Sequence, residues 1–267
     1  MNLDYKENKL IEILKGLGNC AIAFSGGTDS TLLLYYLSKL KINSKAYTFH
    51  SYLYTEDELT EAVETAKNLG ISHEVIKIDP LNDIENIKNN PKERCYICKK
   101  YMFSLLLLKA KNDGMQHIIE GSNFDDRSDF RPGKKAVDEL NILSPLDMTE
   151  LTKDEIRSLL KKAGLNYTKP SFACYFSRFP YNTEITRNMI NKISACEVYI
   201  HKQGLNSVRV RFHNNIARLE ANKKHMDEII LNNKLRENII EYIKAQGFMF
   251  IVLDLEEYKT GSMNRTL

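Results

Sequence analysis

The stretch that decides the fold, residues 21–30, reads Ala-Ile-Ala-Phe-Ser-Gly-Gly-Thr-Asp-Ser. Four apolar residues of strand type run into a glycine pair, and the helical pattern Thr31–Leu40 follows directly. Gly26 and Gly27 allow positive φ and let backbone N–H groups approach an anion closely. The N-terminus of the following helix adds a partial positive charge. The pattern therefore predicts a phosphate-binding loop between a strand and a helix.

This loop does not match the common nucleotide-binding motifs. It has no third spaced glycine and no Gly-Lys-Ser/Thr ending, which excludes the dinucleotide and Walker patterns. It resembles the Ser-Gly-Gly-x-Asp-Ser signature of the PP-loop ATP pyrophosphatases, in which ATP adenylates an oxygen atom and pyrophosphate leaves. The resemblance implies an ATP site formed by Ser25, Gly26, Gly27, Asp29 and Ser30.

Short β-rich runs alternate with helical patterns along the first part of the chain. The runs predict strands at Ala21–Phe24, Lys45–Phe49, His73–Ile78 and His117–Glu120, and helices at Thr31–Leu40, Glu58–Leu69 and Tyr101–Lys111. The alternation predicts an α/β fold with a parallel sheet flanked by helices. Ligands of such sheets bind at the carboxyl ends of the strands, so we add His50 and Gly121 to the predicted nucleotide site.

From about Thr183 the pattern changes. It predicts a helix at Thr186–Gln203, strands at Ser207–Phe212 and Ile216–Glu220 joined by a turn at 213–215, a helix at Lys223–Ala245 and a strand at Phe248–Leu253. This order indicates a smaller C-terminal α+β domain. We predict domains at 1–175 and 176–267 with a hinge and shared cleft at Lys169–Tyr181, and fraying from Lys259 to Leu267.

Composition sets wider bounds on function. The chain has 267 residues, a net charge of +3 and a pI of about 8.4, and its basic residues are not clustered as in nucleic-acid-binding proteins. No apolar stretch approaches the roughly 20 residues of a membrane span. The N-terminal residues lack the apolar core of a signal peptide, which favours the cytoplasm. There the five cysteines stay reduced, which favours metal binding or catalysis over disulfides.

Three of the cysteines form a second constellation. Cys95 and Cys98 open a helical run and share one helix face, and Cys174 is distant in sequence. Three thiolates are one short of a closed zinc site, and they suit a 4Fe-4S cluster that keeps one iron open. A zinc site completed by a histidine, a redox dithiol and unrelated thiols remain alternatives. Cys20 and Cys196 have the apolar surroundings of inert structural cysteines.

Arginines mark a possible anion site. Arg209 and Arg211 alternate with period two in a predicted strand, so their guanidinium groups project from one face and can hold one phosphate or carboxylate. A solvated polar face of the sheet is the alternative. Arg178 follows Cys174 closely and is a further candidate, although isolated charges of this kind commonly form structural ion pairs.

Taken together, these motifs resemble the LarE family over nearly the whole chain. LarE proteins are ATP-dependent sulfur transferases that convert the carboxylates of pyridinium-3,5-biscarboxylic acid mononucleotide to thiocarboxylates for the nickel-pincer nucleotide. The motifs are Ser25–Ser30, Asn90-Pro91-x-x-Arg94-Cys95-x-x-Cys98-Lys99-Lys100, Gly121-Ser-Asn-x-Asp-Asp126, Asp129-Phe-Arg-Pro-Gly133, Lys169-Pro170-x-x-Ala-Cys174-x-x-Ser177-Arg178 and Val208-Arg-Val-Arg211.

The resemblance implies roles for several of these residues. Asp29 is expected to hold Mg²⁺ on the ATP phosphates. Cys174 is expected to be catalytic, and the trio of Cys95, Cys98 and Cys174 places the chain in the branch that carries a 4Fe-4S cluster. The substrate would be held by Arg178, Arg209, Arg211, Asp126 and Glu197.

The resemblance also implies binding partners, and alternative functions remain beside it. The implied partners are the mononucleotide, ATP, a sulfide donor and further copies of the chain in a homo-oligomer. In one alternative chemistry Cys174 gives up its own sulfur and becomes dehydroalanine. The alternative functions are a tRNA thiolase with a similar cluster, an ATP-dependent amidating synthetase and a non-catalytic nucleotide sensor. The near-neutral charge disfavours the first, and the cysteine trio and arginine pair disfavour the last.

Overall fold

A computed structural model describes residues 2–128, 131–168, 173–259 and 261–263 of the chain. By its internal contacts the chain divides into two compact units. The first comprises Met1–Ile84 and Glu93–Phe172, and the second comprises Glu85–Lys92 and Ala173–Leu267. The chain thus passes from one unit to the other after residues 84, 92 and 172. The predicted boundary after residue 175 lies near the last of these points, whereas the assignment of residues 85–92 to the second unit was not predicted.

The first unit is an α/β layer structure. Its strands are parallel and lie in the order β3-β2-β1-β4, so the predicted fold class is confirmed. Each predicted strand overlaps an observed one. The elements are α1 (Leu3–Gly16), β1 (Asn19–Ala23), α2 (Thr28–Lys39), β2 (Asn43–His50), α3 (Glu56–Asn68), β3 (Ser72–Lys77), α4 (Pro80–Asp83), α5 (Arg94–Asn112), β4 (His117–Ile119), α6 (Lys134–Glu139), α7 (Pro145–Met148) and α8 (Lys153–Lys162).

Two apolar layers cover this sheet because successive residues of a strand point to opposite faces. Cys20 and Ile22 of β1 belong to one buried cluster, with residues of α1, α2 and α8. Ala21 of β1 belongs to the other, with Phe103 and Leu106 of α5. A central strand buried on both faces is what a parallel sheet with helices on both sides requires. The carboxyl end of β1 is thereby held between the ends of β2 and β4.

The second unit is the smaller α+β structure expected from the sequence. β5 and β6 form an antiparallel hairpin, and β7 pairs with β6 in parallel. Asn214 in the hairpin turn has a φ of +55°, a conformation that asparagine tolerates better than most residues. The elements are α9 (Arg187–Lys202), β5 (Arg209–His213), β6 (Ile216–Glu220), α10 (Lys223–Leu231), α11 (Asn233–Ala245) and β7 (Phe250–Leu253).

The single helix predicted over Lys223–Ala245 was wrong. Asn232 takes an extended conformation (φ −93°, ψ 96°) and its side chain accepts a hydrogen bond from the N–H of Leu235. An asparagine at this position ends one helix and caps the next, because its side-chain oxygen satisfies an N–H of the new first turn. The helical period continues across the break, which is why the pattern alone did not reveal it.

Asn90 explains why residues 85–92 belong to the second unit. Its side chain is fully buried, and its amide nitrogen donates to the carbonyls of Phe179 and Pro180 at 3.2 and 2.8 Å. The N–H of Asn182 donates in return to the carbonyl of Asn90 at 3.0 Å. These bonds join segments that are about ninety positions apart in the chain, a pairing that no local pattern predicts.

In the part of the chain that the structure describes, no helix has the length and apolar character needed to cross a membrane.

Candidate active site

Two glycines shape the loop after β1, and they do so differently. Gly26 has a φ of +68°, and a Cβ placed there would lie 3.0 Å from the Cβ of Ala62. Gly27 is extended, with φ −78° and ψ 166°, and it caps α2. The expected positive φ is therefore confirmed for Gly26 and wrong for Gly27, because the extended residue before a helix needs no left-handed conformation. Gly26 combines both constraints that only glycine meets.

The N-terminus of α2 faces the end of β4. A Cβ on Gly121 would lie 3.0 Å from the backbone nitrogen of Ser30, so the two backbones touch here. The first N–H groups of a helix have no partner within it and carry the positive end of its dipole. The hydroxyl oxygens of Ser25 and Ser30 lie 3.1 Å apart beside them. The loop thus offers donors of the kind that bind phosphate.

A lysine that the sequence analysis did not consider completes this loop. The ammonium group of Lys153 lies 2.8 and 2.7 Å from the carboxylate oxygens of Asp29 and 2.6 Å from the hydroxyl of Thr28. Both charged side chains are 23% exposed. The site therefore holds one acidic and one basic group within reach of solvent, at the helix N-terminus where phosphate would bind.

The first turn of α8 holds Lys153 in place. Thr152 and Glu155 form a capping box, in which the side chain of each residue accepts a hydrogen bond from the backbone N–H of the other. The Glu155 carboxylate also pairs with Lys6 of α1 at 2.8 Å. The backbone N–H of Lys153 donates to Asp125 at 2.8 Å. The Thr-x-x-Glu spacing of residues 152–155 is a local signal for the start of a helix, but no local signal indicates that Lys153 contacts Asp29.

A buried carboxylate lies at the end of β4, beside Gly121. Glu120 accepts hydrogen bonds from the ammonium of Lys99 at 3.0 Å and from the hydroxyls of Ser122 and Ser144 at 2.9 and 2.5 Å. Burial alone would raise the pKa of Glu120, but Lys99 and the two serines outweigh it and hold the pKa below the ordinary 4.5. Glu120 therefore fixes Lys99 at the end of the sheet.

Two other predicted residues of this unit have protein partners. Nε2 of His50, at the end of β2, lies 3.2 Å from the Glu56 carboxylate. Asp126 accepts a hydrogen bond from the N–H of Asn123 and pairs with Arg131 at 2.7 Å. Burial raises the pKa of Asp126, and Arg131 opposes this only in part. Their roles in binding remain predictions. Asp129 and Phe130 of the same motif lie outside the described residues.

The five cysteines fall into two groups, as expected. Cys20 and Cys196 are buried, and burial raises the pKa of each thiol to about 12. Cys95 is exposed and Cys98 half-buried near the start of α5, and Cys174 is half-buried in the second unit. The second group thus has the thiols that a metal or a reaction could use.

Thiolates are the ligands that iron–sulfur clusters use, and none of these three thiols lies in an apolar core; Cys95 and Cys98 belong to the first unit and Cys174 to the second. Among residues 2–128, 131–168, 173–259 and 261–263, however, no three histidine, cysteine or acidic side chains are grouped as a metal site. The 4Fe-4S cluster thus remains a prediction. Residues 169–172 of the predicted hinge, Lys169–Tyr181, are outside the described part of the chain.

Arg209 and Arg211 of β5 are buried, which excludes the alternative of a solvated polar face for them. Arg211 pairs with Glu220 at 2.6 Å and donates to the carbonyl of Ser177. Arg209 contacts the ring nitrogen of His201 at 3.5 Å. Both guanidinium groups lie over the ring of Tyr258, at 5.7 and 5.9 Å from its centroid. The predicted common face is therefore confirmed.

Arg178 and Glu197 form a buried ion pair. Nε and Nη2 of Arg178 donate to the two oxygens of Glu197 at 2.6 and 3.0 Å. Burial opposes both charges, yet their mutual attraction prevails: the pKa of Arg178 is raised and that of Glu197 is lowered. Glu197 also accepts the N–H of Val210 at 2.8 Å. The pair thus fixes the strand residue between the two other arginines.

Comparison with known proteins agrees with this arrangement. The family model described as "Queuosine biosynthesis protein QueC" matches residues 19–208. Pyridinium-3,5-bisthiocarboxylic acid mononucleotide synthase of Lactiplantibacillus plantarum is 35% identical over 98% of this chain and 95% of its own length.

Two further relatives, one of comparable and one of lower identity, are similar to the chain. An uncharacterised protein of Synechocystis is 34% identical over 99% of both chains. The NH(3)-dependent NAD(+) synthetase of Pyrococcus horikoshii is 26% identical over 61% of this chain and 65% of its own length. The chain is similar to the Lactiplantibacillus synthase over nearly its whole length, and its parallel sheet is that of the PP-loop proteins. It is therefore a member of the LarE family of ATP-using PP-loop proteins.

Proposed function

We propose that the protein adenylates the carboxylates of pyridinium-3,5-biscarboxylic acid mononucleotide and converts them to thiocarboxylates. The observation that carries the proposal is the loop after β1, where the Asp29–Lys153 pair meets the N-terminus of α2. A site of this kind binds a polyphosphate and can release part of it. The name of the Lactiplantibacillus relative gives the bisthiocarboxylic acid product, and the corresponding biscarboxylic acid is the substrate that the family resemblance implies.

The first step activates a poor electrophile. A substrate carboxylate oxygen attacks the α-phosphorus of ATP, the bond to the bridging oxygen breaks, and pyrophosphate leaves with that electron pair. The N–H groups at the start of α2 and the Lys153 ammonium stabilise the charge that develops on the leaving group. Asp29 is the residue that would hold Mg²⁺, which neutralises phosphate charge and prefers such hard oxygen ligands.

The second step exchanges oxygen for sulfur. A sulfide sulfur attacks the acyl carbon of the adenylate, the carbon–oxygen bond to AMP breaks, and AMP leaves with the electron pair. In the proposed scheme Cys95, Cys98 and Cys174 hold a 4Fe-4S cluster, which when bound supplies an open iron for sulfide. The alternative donor is the Cys174 thiol itself.

The second unit is proposed to bind the substrate. Arg209 and Arg211 lie on one face and suit the mononucleotide phosphate. Arg178 and Glu197 hold each other and the backbone of Val210, so in this proposal they position the arginine strand. Direct contact between Arg178 and a carboxylate requires that this pair open.

The two chemical steps can be tested separately. Asp29→Asn should abolish pyrophosphate release from ATP and substrate, and the matched control Asp57→Asn, at the exposed start of α3, should retain it. Cys174→Ala should abolish thiocarboxylate formation and leave pyrophosphate release intact, whereas Cys196→Ala should retain both. Pyrophosphate release by Asp29→Asn, or loss of both activities in Cys174→Ala, would contradict the assignment.

The sulfur donor has its own test. Anaerobic reconstitution with iron and sulfide should give a brown protein with about four irons per chain, and Cys95→Ser should lose this iron. A colourless protein that takes up zinc instead would contradict the cluster. The mass of the chain after turnover distinguishes the alternative donor, because a sacrificial Cys174 loses one sulfur atom.

A further inference from the structure

Two residues near the end of the described chain lie within the charged cluster of the second unit. The hydroxyl oxygen of Ser262 accepts a hydrogen bond from Nη2 of Arg211 at 3.0 Å and donates toward the Glu220 carboxylate, 2.9 Å from Oε2. Met263 is 4% exposed, and its sulfur lies 3.5 Å from Nη2 of Arg218. We call Ser262 and Met263 the strap. The expected fraying is wrong for these two residues, because hydrogen bonds and burial hold them.

The strap uses a donor that a phosphate would need. Nη2 of Arg211 carries two N–H groups, and its partners are Glu220 at 2.6 Å and Ser262 at 3.0 Å. A ligand oxygen can reach this nitrogen only when one of these partners leaves. The Glu220 side chain is 3% exposed and is also paired with Arg218. Moving Glu220 away from Arg211 would therefore leave buried charges without a partner. Ser262 is neutral and is the partner that exchanges at lower cost.

The chain just before the strap is held by a backbone hydrogen bond at Tyr258 and turns at Gly261. The backbone N–H of Tyr258 donates to the carbonyl of Ala221 at 2.8 Å, which prolongs the pairing of β7 with β6. Gly261 lies between Tyr258 and the strap, is exposed and has a φ of +77°. Glycine adopts this conformation without penalty and can leave it as easily. Tyr258 can therefore stay in place while the strap moves.

We propose that the strap is a displaceable plug of the arginine site. In the free protein the Ser262 hydroxyl takes the position on Arg211 that a phosphate monoester oxygen takes when ligand binds, and the strap then swings out about Gly261. The inference rests on the proposed function, which assigns the phosphate to Arg209 and Arg211. It adds that the site is closed at rest, so ligand binding must displace part of the chain.

This arrangement has a measurable consequence. A ligand that must displace the strap binds more weakly than it would to an open site, by the fraction of molecules in which the site is open. Ser262→Ala removes the hydroxyl and should tighten binding about fivefold, the worth of one typical hydrogen bond. A chain that ends after Lys259 lacks the strap and should bind about tenfold more tightly or better.

Calorimetric titration with nicotinic acid mononucleotide, a pyridinium carboxylate with a 5′-phosphate, measures these affinities. Ser158→Ala, an exposed serine of α8 that donates to its own helix, is the matched control and should bind like the unaltered protein. Ser262→Ala keeps Met263 and so remains informative if the shortened chain folds poorly. Unchanged or weaker binding by Ser262→Ala would overturn the plug.

Trypsin gives an independent readout, because Lys259 is exposed just before the strap. Ligand should accelerate cleavage after Lys259 if the strap is displaced, and slower cleavage would mean that the strap closes over the ligand, which overturns the proposal. Arg211→Met separates the two levels of inference. Binding that survives Arg211→Met, or no binding by any variant, removes the arginine assignment itself. If binding depends on Arg211 but has the same affinity in Ser262→Ala and in the shortened chain, only the proposal that the strap is a plug is overturned.

Discussion

In the first unit, Lys153 and Asp29 form an ion pair whose side chains are each 23% exposed, whereas Arg178 and Glu197 in the second unit are each 1% exposed. Water already solvates the first pair, so either group can exchange its partner for a ligand at small cost. The second pair is desolvated, and separating it would leave a charge without compensation. The contrast is the one expected if, as proposed, the first pair takes part in the chemistry and the second holds the arginine strand in place.

The largest expected effect comes from breaking the buried pair. Glu197→Gln keeps the shape of the side chain but leaves the Arg178 charge uncompensated, so the free energy of unfolding should fall by about 3 kcal/mol. Urea denaturation measures it. The double variant Arg178→Met with Glu197→Gln should recover part of the loss, because no charge remains buried. An equal or larger loss in the double variant would show that packing, rather than charge, matters here.

Lys153→Met tests the exposed pair. Stability should change by less than about 1 kcal/mol, since partly exposed pairs contribute little. Pyrophosphate release should fall about thirtyfold, because a positive charge beside the leaving group is lost. Lys161→Met, in the last turn of the same helix, is the matched control. A large loss of stability in Lys153→Met together with an unchanged rate would contradict the comparison between the two pairs.

Gly121→Ala probes how closely the end of β4 approaches α2. Its Cβ would lie 3.0 Å from the Ser30 nitrogen, so that backbone must shift by a few tenths of an ångström. We expect the KM for ATP to rise about tenfold, a typical cost for a small misplacement in a binding loop. Gly16→Ala, where no atom lies within 4 Å of the new Cβ, should leave the KM unchanged. Equal KM values for both variants would argue against the cradle.

The smallest effect is a pH dependence of stability within the first unit. The pKa of Glu120 is lowered in the folded state, so its contribution is complete above 4.5 and is lost as the pH falls through the folded value. The pKa of Asp126 is raised above 3.8 in the folded state, so its ionised form disfavours folding, and stability rises as the pH falls from the folded value to 3.8. Denaturation midpoints between pH 3 and 6 should show opposite slopes for the differences from Glu120→Gln and Asp126→Asn. Slopes of the same sign for the two variants would contradict the opposite pKa shifts of Glu120 and Asp126.

Much of the fold was predictable because its signals are local. The strand–glycine–helix pattern at 21–30 and the hairpin around Asn214 each depend on a few neighbouring residues, and the structure confirms both. The break at Asn232 was missed because the helical period continues across it. The apolar period reports which face is buried, and a side-chain cap can end a helix without changing that period.

The candidate site divides in the same way. Ser25, Gly26 and Asp29 follow from one motif, but Lys153, the partner of Asp29, is 124 positions away and was not predicted. The arginine alternation gave the shared face of Arg209 and Arg211 and could not give their burial. Burial depends on what the rest of the unit lays against that face.

The sequence by itself determined the chemistry available to this protein: a phosphate loop, three usable thiols and a pair of arginines on one strand face. Only the tertiary structure decided which of these groups are ready to act. It brings Lys153 to Asp29, encloses Arg178 with Glu197 and sets Ser262 against Arg211. The physical reason is that a residue type fixes charge and hydrogen-bonding capacity, whereas solvation and the choice of partner depend on segments far apart in the chain.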